Sequence, residues 1–158
     1  MSAMIIGVSP AGGDEGGEAM TATARSGASR LPVRRGERRW TEAELSRVAE
    51  RLAAEAAELR AEIAKAETDI AARLGDAVSD AGDDQADVGA KAYEREHELA
   101  LTYRARELLE QTERALARIE SGTYGSCESC GEPIGKARLQ AFGKATLCVR
   151  RKQREERR

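Results

Sequence analysis

The sequence predicts a mainly α protein: a long antiparallel helical hairpin of coiled-coil type, with a small cysteine-bearing module and a short terminal helix at its C-terminal end. Three observations carry this. Two stretches repeat apolar residues at alternating intervals of four and three, the spacing of a coiled-coil seam. An acidic segment of turn-forming residues separates them, and three cysteines follow them. With 3% aromatic and 34% charged side chains in 158 residues, the chain has too few large apolar groups for a thick globular core. Helices sharing one narrow seam use the available apolar residues best.

Residues 1–40 are rich in Gly, Ala, Ser and Thr and show almost no apolar periodicity, so a disordered leader is expected there. Met20 offers a second translation start. Arg34, Arg35, Arg38 and Arg39 read as a solvated linker before Trp40. Residues 41–120 form the hairpin. Thr41-Glu42-Ala43-Glu44 is a capping box, in which the threonine hydroxyl accepts from an early helical N–H and the glutamate reaches back to the cap. The first stripe is Leu45, Ala49, Leu52, Ala56, Leu59, Ile63, Ala66 and Ile70, with the helix running to about Leu74. The second, in a helix from about Ala90 to Ile119, is Leu101, Ala105, Leu108, Thr112, Ala115 and Ile119. Neither helix can bury its stripe alone, so each is the other's partner. Residues 75–89 make the acidic tip, with five aspartates and no basic residue. A turn readily uses Asp and Gly. It does not need five repelling charges, which points to a tip that meets a partner.

Residues 121–158 hold Cys127-Glu128-Ser129-Cys130 and, after seventeen intervening residues, Cys148-Val149-Arg150-Arg151. Paired Cys-x-x-Cys knuckles hold a tetrahedral zinc because two intervening residues let both sulfurs turn toward one ion. Here the first knuckle is complete and the second has lost its last donor. Arg151 stands at the expected fourth position, and its guanidinium cannot ligate a cation. The metal-site residues are therefore Cys127, Cys130 and Cys148, in a degenerate zinc-ribbon module followed by a basic tail. Zinc is expected to be weak or lost, with Glu128 or Glu132 considered as a substitute ligand and Ile134, Leu139, Phe142 and Leu147 packing the module.

The formal net charge of −2 hides a segregation, with acid concentrated at 75–89 and base at the C-terminal end. Polarity of this kind suits two ends that meet different partners, and it falls short of the positive charge expected for bulk nucleic-acid binding. An odd cysteine count and the lack of a signal-peptide core or an apolar run of about 20 residues point to a cytoplasmic chain with no membrane span. No catalytic constellation is visible. His97, the sole histidine, reads as a helix-surface residue, and the chain is read as a non-enzyme.

A capped hairpin with an acidic tip, then Gly-x-Tyr-Gly-x-Cys-x-x-Cys-Gly at Gly122 to Gly131, then Ile134-Gly135-Lys136-Ala137-Arg138-Leu139, resembles the DksA/TraR family of bacterial RNA polymerase regulators. The resemblance covers about residues 41–158. It implies a zinc-ribbon protein, a monomer, that binds RNA polymerase without reading DNA sequence and inserts its coiled coil into the secondary channel. The family's tip motif, Asp-x-x-Asp-x-Ala, falls on Asp84, Asp87 and Gly89, the last replacing alanine. Arg104 matches a shaft arginine that supports polymerase binding. Of the basic residues that bind guanosine tetraphosphate, Lys152 is kept while Gln111 and Phe142 replace two others, which puts nucleotide dependence in doubt. Gly143 replaces a usual proline. The alternative function is a coiled-coil adaptor that binds another protein through its ribbon module.

Overall fold

The computed structural model of the chain describes residues 27–77 and 85–157. Two helices of 36 residues each, α1 (Glu42–Ala77) and α2 (Gln85–Glu120), form the hairpin. Each is about 54 Å long at 1.5 Å per residue. The capping box forms as predicted: Thr41 N–H donates to Glu44 Oε2 at 3.0 Å, and Glu44 N–H donates to Thr41 Oγ1 at 3.2 Å. At the other end α2 stops at Gly122, whose φ of +73° suits glycine best. There Gly122 N–H donates to Ile119 O and Thr123 N–H to Arg118 O, the paired bonds of a Schellman turn.

The antiparallel register is visible in three interhelical ion pairs. Arg60 meets Glu113 at 2.7 Å, Arg106 meets Glu67, and Arg73 meets Glu98, so one partner rises along the chain as the other falls. On α1 the predicted seam is buried from Leu45 through Ile63, with Ala49 half-buried, then half-buried at Ala66 and Ile70. On α2, Ala105, Thr112, Ala115 and Ile119 are buried as expected. Leu101 is not: it is 51% exposed, and Thr102 takes the seam position at 6%. An α-helix of 3.6 residues per turn drifts about 20° per heptad against a 3.5 repeat, so the buried line slips by a residue along α2. The hydroxyls of Thr102 and Thr112 are satisfied by donating to Glu98 O at 2.9 Å and Leu108 O at 2.7 Å.

Two boundaries differ from the sequence expectation. Helix α1 continues to Ala77, and α2 begins at Gln85 rather than near Ala90, so only part of the 75–89 segment lies between helices. Gly89 costs a helix about 1 kcal/mol relative to alanine, too little to stop one whose neighbours favour it, and Asp87 in the first turn suits the positive end of the helix dipole.

The larger correction concerns the leader. Residues 1–26 lie outside the described residues, but 27–40 form an ordered strap across the base of the hairpin. A single 3₁₀ turn (Ala28–Arg30) leads into an irregular run with one further turn, closed by Glu37 N–H donating to Arg34 O at 3.0 Å, and Ala28, Leu31 and Trp40 are each no more than 3% exposed. Their spacing has no helical or strand period because their partners are distant in sequence. These residues join Leu45, Val48 and Leu52 of α1, Ala115 and Ile119 of α2, and Tyr124, Cys127, Ile134 and Leu139 of the cysteine module in one core. Trp40 and Tyr124 meet edge to face, with ring centroids 6.1 Å apart. Of the four residues expected to pack the module, Ile134 and Leu139 are buried and Leu147 is half-buried, whereas Phe142 is 65% exposed. Two short helices, α3 (Lys136–Ala141) and α4 (Val149–Glu156), complete the chain. There is no strand among the described residues, only an isolated bridge between Ser126 and Pro133.

Candidate functional site

Local hydrogen bonds shape the cysteine module. Gly131 N–H donates to Cys127 O at 2.8 Å, closing the knuckle, and Cys127 N–H donates to Glu132 O at 2.9 Å. Glu128 N–H reaches Thr146 O at 2.9 Å, drawing the second cysteine segment alongside. Arg118 of α2 clamps the knuckle from below: one guanidinium nitrogen donates to the carbonyls of Ser126 and Thr123, and the other lies 3.5 Å from Glu128.

These turns bring the three cysteines together as predicted. All three Sγ atoms lie within 4.8 Å of one another, with Cys130 and Cys148 at 3.9 Å, and Cys148 N–H donates to Cys127 Sγ at 3.4 Å. Tetrahedral zinc with bonds near 2.3 Å places its sulfurs about 3.8 Å apart, so the trio fits three corners of a zinc site. Among the described residues no carboxylate or imidazole joins the cluster. Glu128 is turned to Arg118, which removes it as a fourth ligand in this arrangement. The Arg151 guanidinium stands beside Cys130 instead, and its Nε is buried without a hydrogen-bond partner among the described residues. The Cys130 thiol is lowered to about 7, chiefly by a backbone donor at Glu132, with Cys127, Arg151 and Cys148 adding to the effect against desolvation. A substantial thiolate fraction at neutral pH is what a metal needs from this residue.

The module is fixed to the hairpin by two lysines that sequence reasoning did not single out. Lys136 lies 2.6 Å from Glu44, donates to Arg39 O at 3.2 Å and sits 5.5 Å from the Trp40 ring centroid. This holds the Glu44 carboxyl well down, at about 2, with the Lys136 bond as the largest cause and Thr41 next. Lys144 pairs with Glu55 of α1. Glu37 of the strap accepts the Lys136 backbone N–H at 3.2 Å, tying the strap to the start of α3. Tyr124 donates its hydroxyl to Gly143 O at 2.8 Å, and burial pushes its pKa up to about 12. A side chain at Gly143 would come within 3.3 Å of Leu52, so glycine brings this turn close to α1. The only available sequence signal for these contacts was a lysine-poor chain with three of its five lysines, Lys136, Lys144 and Lys152, near the cysteine motif.

Of the residues matched to the tip and shaft, Asp87, Gly89 and Arg104 are described, and all lie on α2 away from the base. Asp84 is outside the described residues. Asp87 and Gly89 are exposed in the first turns of α2, and a Cβ added at Gly89 would meet nothing within 4 Å. Arg104 is exposed on α2 two residues before Arg106, which stacks on Tyr103 at 5.9 Å. His97 is exposed on the helix surface as read. Gln111 and Lys152 line one groove with Arg114, Arg138 and Lys144, so cations other than the expected ones surround that position, while Phe142 is outside it with Arg138 over its ring at 5.8 Å. No helix among the described residues is long and apolar enough to cross a membrane.

Comparison with known proteins gives a consistent picture. Residues 122–157 match the prokaryotic dksA/traR C4-type zinc finger. The RNA polymerase-binding transcription factor DksA of Caulobacter vibrioides is 48% identical over 65 residues, 41% of this chain and 46% of that one. That of Escherichia coli is 42% identical over 64 residues, 39% of this chain and 42% of that one. The match thus spans less than half the length of these relatives. Among solved structures, transcription factor DksA2 from Pseudomonas aeruginosa superposes with a TM-score of 0.61 at 32% identity, covering 73% of this chain and 85% of that one. With the helical hairpin, the cysteine knuckle and the shared fold all present, the chain belongs to the DksA/TraR family.

Proposed function

We propose that this chain is a non-catalytic, cytoplasmic regulator that binds RNA polymerase directly and carries its hairpin into the secondary channel. The observation that supports this best is mechanical. A pair of helices about 54 Å long projects from a base locked by an aromatic core, so an acidic tip can be presented at a fixed distance from its anchor. A tip bearing Asp84 and Asp87 beside Gly89 suits contact with positive side chains, metal-bearing sites or backbone donors, and Arg104 on the shaft suits charge-assisted contacts at the channel rim.

In this reading the cysteine module is a platform. Cys127, Cys130 and Cys148 would hold zinc through three thiolates, with a solvent molecule at the fourth corner. The positive charge of Arg151 beside that corner opposes the ion, so zinc is held weakly. The core of Trp40, Tyr124, Ile134 and Leu139 keeps the module folded with or without the ion. Lys152 is engaged by Glu155 and Glu156 at 3.6 and 3.8 Å, which argues against a strong requirement for guanosine tetraphosphate.

The alternative, an adaptor that docks through the ribbon, draws support from Phe142 and Val149, exposed at 65% and 45%. One experiment separates the two. Purified core polymerase is incubated with full-length protein carrying a photo-crosslinker at Val88. Saturable binding with crosslinks to the secondary channel supports the regulator. Binding that leaves the tip uncrosslinked and is abolished by Phe142→Ala supports the adaptor.

A further inference from the structure

We propose that the groove between the strap and the start of α4 is an anion site that takes a phosphate group. Arg34 and Arg35 of the strap and Arg150 of α4 line it together, although 115 positions separate Arg35 from Arg150 along the chain. By sequence alone the strap arginines read as a solvated linker. Folding of residues 27–40 onto the module is what brings them to the basic C-terminal helix.

Three features make this groove more than a scatter of surface charge. Its arginines are unspent: none takes part in any ion pair found among the described residues. The groove lined by Gln111 and Lys152 has more cations, but there Lys144 pairs with Glu55, Lys152 with Glu155 and Glu156, and Arg114 with Glu110, while Arg138 lies over Phe142. Second, α4 opens into the groove. Its N-cap, Cys148, makes no side-chain capping bond, and its first intrahelical bond runs from Lys152 N–H to Cys148 O at 3.0 Å. The N–H groups of Val149, Arg150 and Arg151 are therefore without intrahelical acceptors, the arrangement that favours an oxyanion. Third, one arm is held in place. Arg34 Cδ lies 2.8 Å from where a Cβ on Gly135 would stand, and Gly135 has a φ of +107°, so the backbone there admits the arginine stem because no side chain intervenes. Arg34 N–H is bonded to Glu37 at 2.9 Å, which fixes the strap at the same point. Among the described residues Glu132 is the one carboxylate lining the groove, and it is exposed. Guanidinium groups and free helical N–H groups together select phosphate oxygens over a single carboxylate because they offer several donors in fork geometry.

The phosphate could belong to a compact polyphosphate or to a nucleic-acid strand, and the test separates these sources. The full chain is titrated by calorimetry with inorganic tripolyphosphate and, separately, with a short single-stranded RNA. The variants are Arg35→Gln/Arg150→Gln, which removes two groove cations that make no ion pair among the described residues, and Arg114→Gln in the groove lined by Gln111 and Lys152 as control. Helicity by circular dichroism shows that each variant is folded. Saturable binding weakened about tenfold or more in the double variant and unchanged in the control is expected, because each lost charged hydrogen bond weighs at least a factor of ten. Tripolyphosphate as the better ligand identifies a compact source. RNA as the better ligand, with affinity falling steeply with salt, identifies a strand. Absence of binding by either probe, binding indifferent to the double variant, or equal loss in the control overturns the site.

Discussion

The lower and upper halves of the hairpin are made from the same residue types at the same spacing, yet they are held very differently. Near the base, Leu45, Val48, Leu52, Ala115 and Ile119 meet a third layer, the strap and the cysteine module, and are all at most 5% exposed. Beyond Ile63, among the described residues, each helix has only the other to lean on. There Leu74, Leu101, Tyr103 and Tyr93 are exposed at 52, 51, 61 and 74%, and charged pairs such as Arg73 with Glu98 replace apolar contact. Surface pairs of that kind contribute at most about 1 kcal/mol each. The same heptad pattern therefore yields a firm anchor at one end and a lightly held shaft at the other. Local opening should be easiest where fewest apolar contacts are made.

The largest effect that sharpens this contrast concerns the metal. Arg151→Cys completes the four-thiolate set, and such sites bind zinc with about 10–16 kcal/mol. Elemental analysis should find substoichiometric zinc in the parent, removable by a modest chelator, and one retained zinc per chain in the variant. Tight, chelator-resistant zinc in the parent would mean that a fourth donor is present after all. Hydrogen exchange should slow in the base of the metal-loaded variant and stay unchanged above Ile63.

Next come the packing substitutions. Leu52→Ala should cost about 2–5 kcal/mol in denaturant unfolding, whereas Leu101→Ala should cost within about 0.5 kcal/mol, as at an exposed site. Equal costs would erase the distinction between the halves.

Glu44 supplies a pH test confined to the base. Its carboxyl is lowered from 4.5 to about 2 in the folded chain, so its stabilisation is complete above pH 4.5 and lost as pH falls through 2. Glu44→Gln, which keeps the shape but not the charge beside Lys136, should destabilise by about 1 kcal/mol near neutral pH. The gap between parent and variant should close at the acid end of that window. A gap that persists there would assign the effect to packing.

How much of this could be read from the sequence follows from how local each feature is. The capping box Thr41 to Glu44, the α1 seam and the cysteine trio rest on spacings of three or four residues or on side-chain chemistry, and all appear where expected. The switch from Leu101 to Thr102 depends on accumulated helical drift, which a fixed heptad count ignores. The strap was invisible because Ala28, Leu31 and Trp40 find partners up to a hundred residues away and have no period of their own. For the same reason the charges of Arg34, Arg35 and Arg150 looked unrelated. Lys136 and Arg118 were ordinary surface cations until the fold set them beside Glu44 and the knuckle carbonyls.

The division between anchor and tip is tested most directly by Asp84→Asn/Asp87→Asn in a purified transcription system, with polymerase affinity measured on the same preparation. The substitution removes two charges with almost no change in volume, and Asp87 lies in the first turn of α2, at the other end of the helix from the base. Affinity should be little changed while the effect on transcription disappears. A double variant that regulates as well as the parent, or one that no longer binds polymerase, would contradict the account.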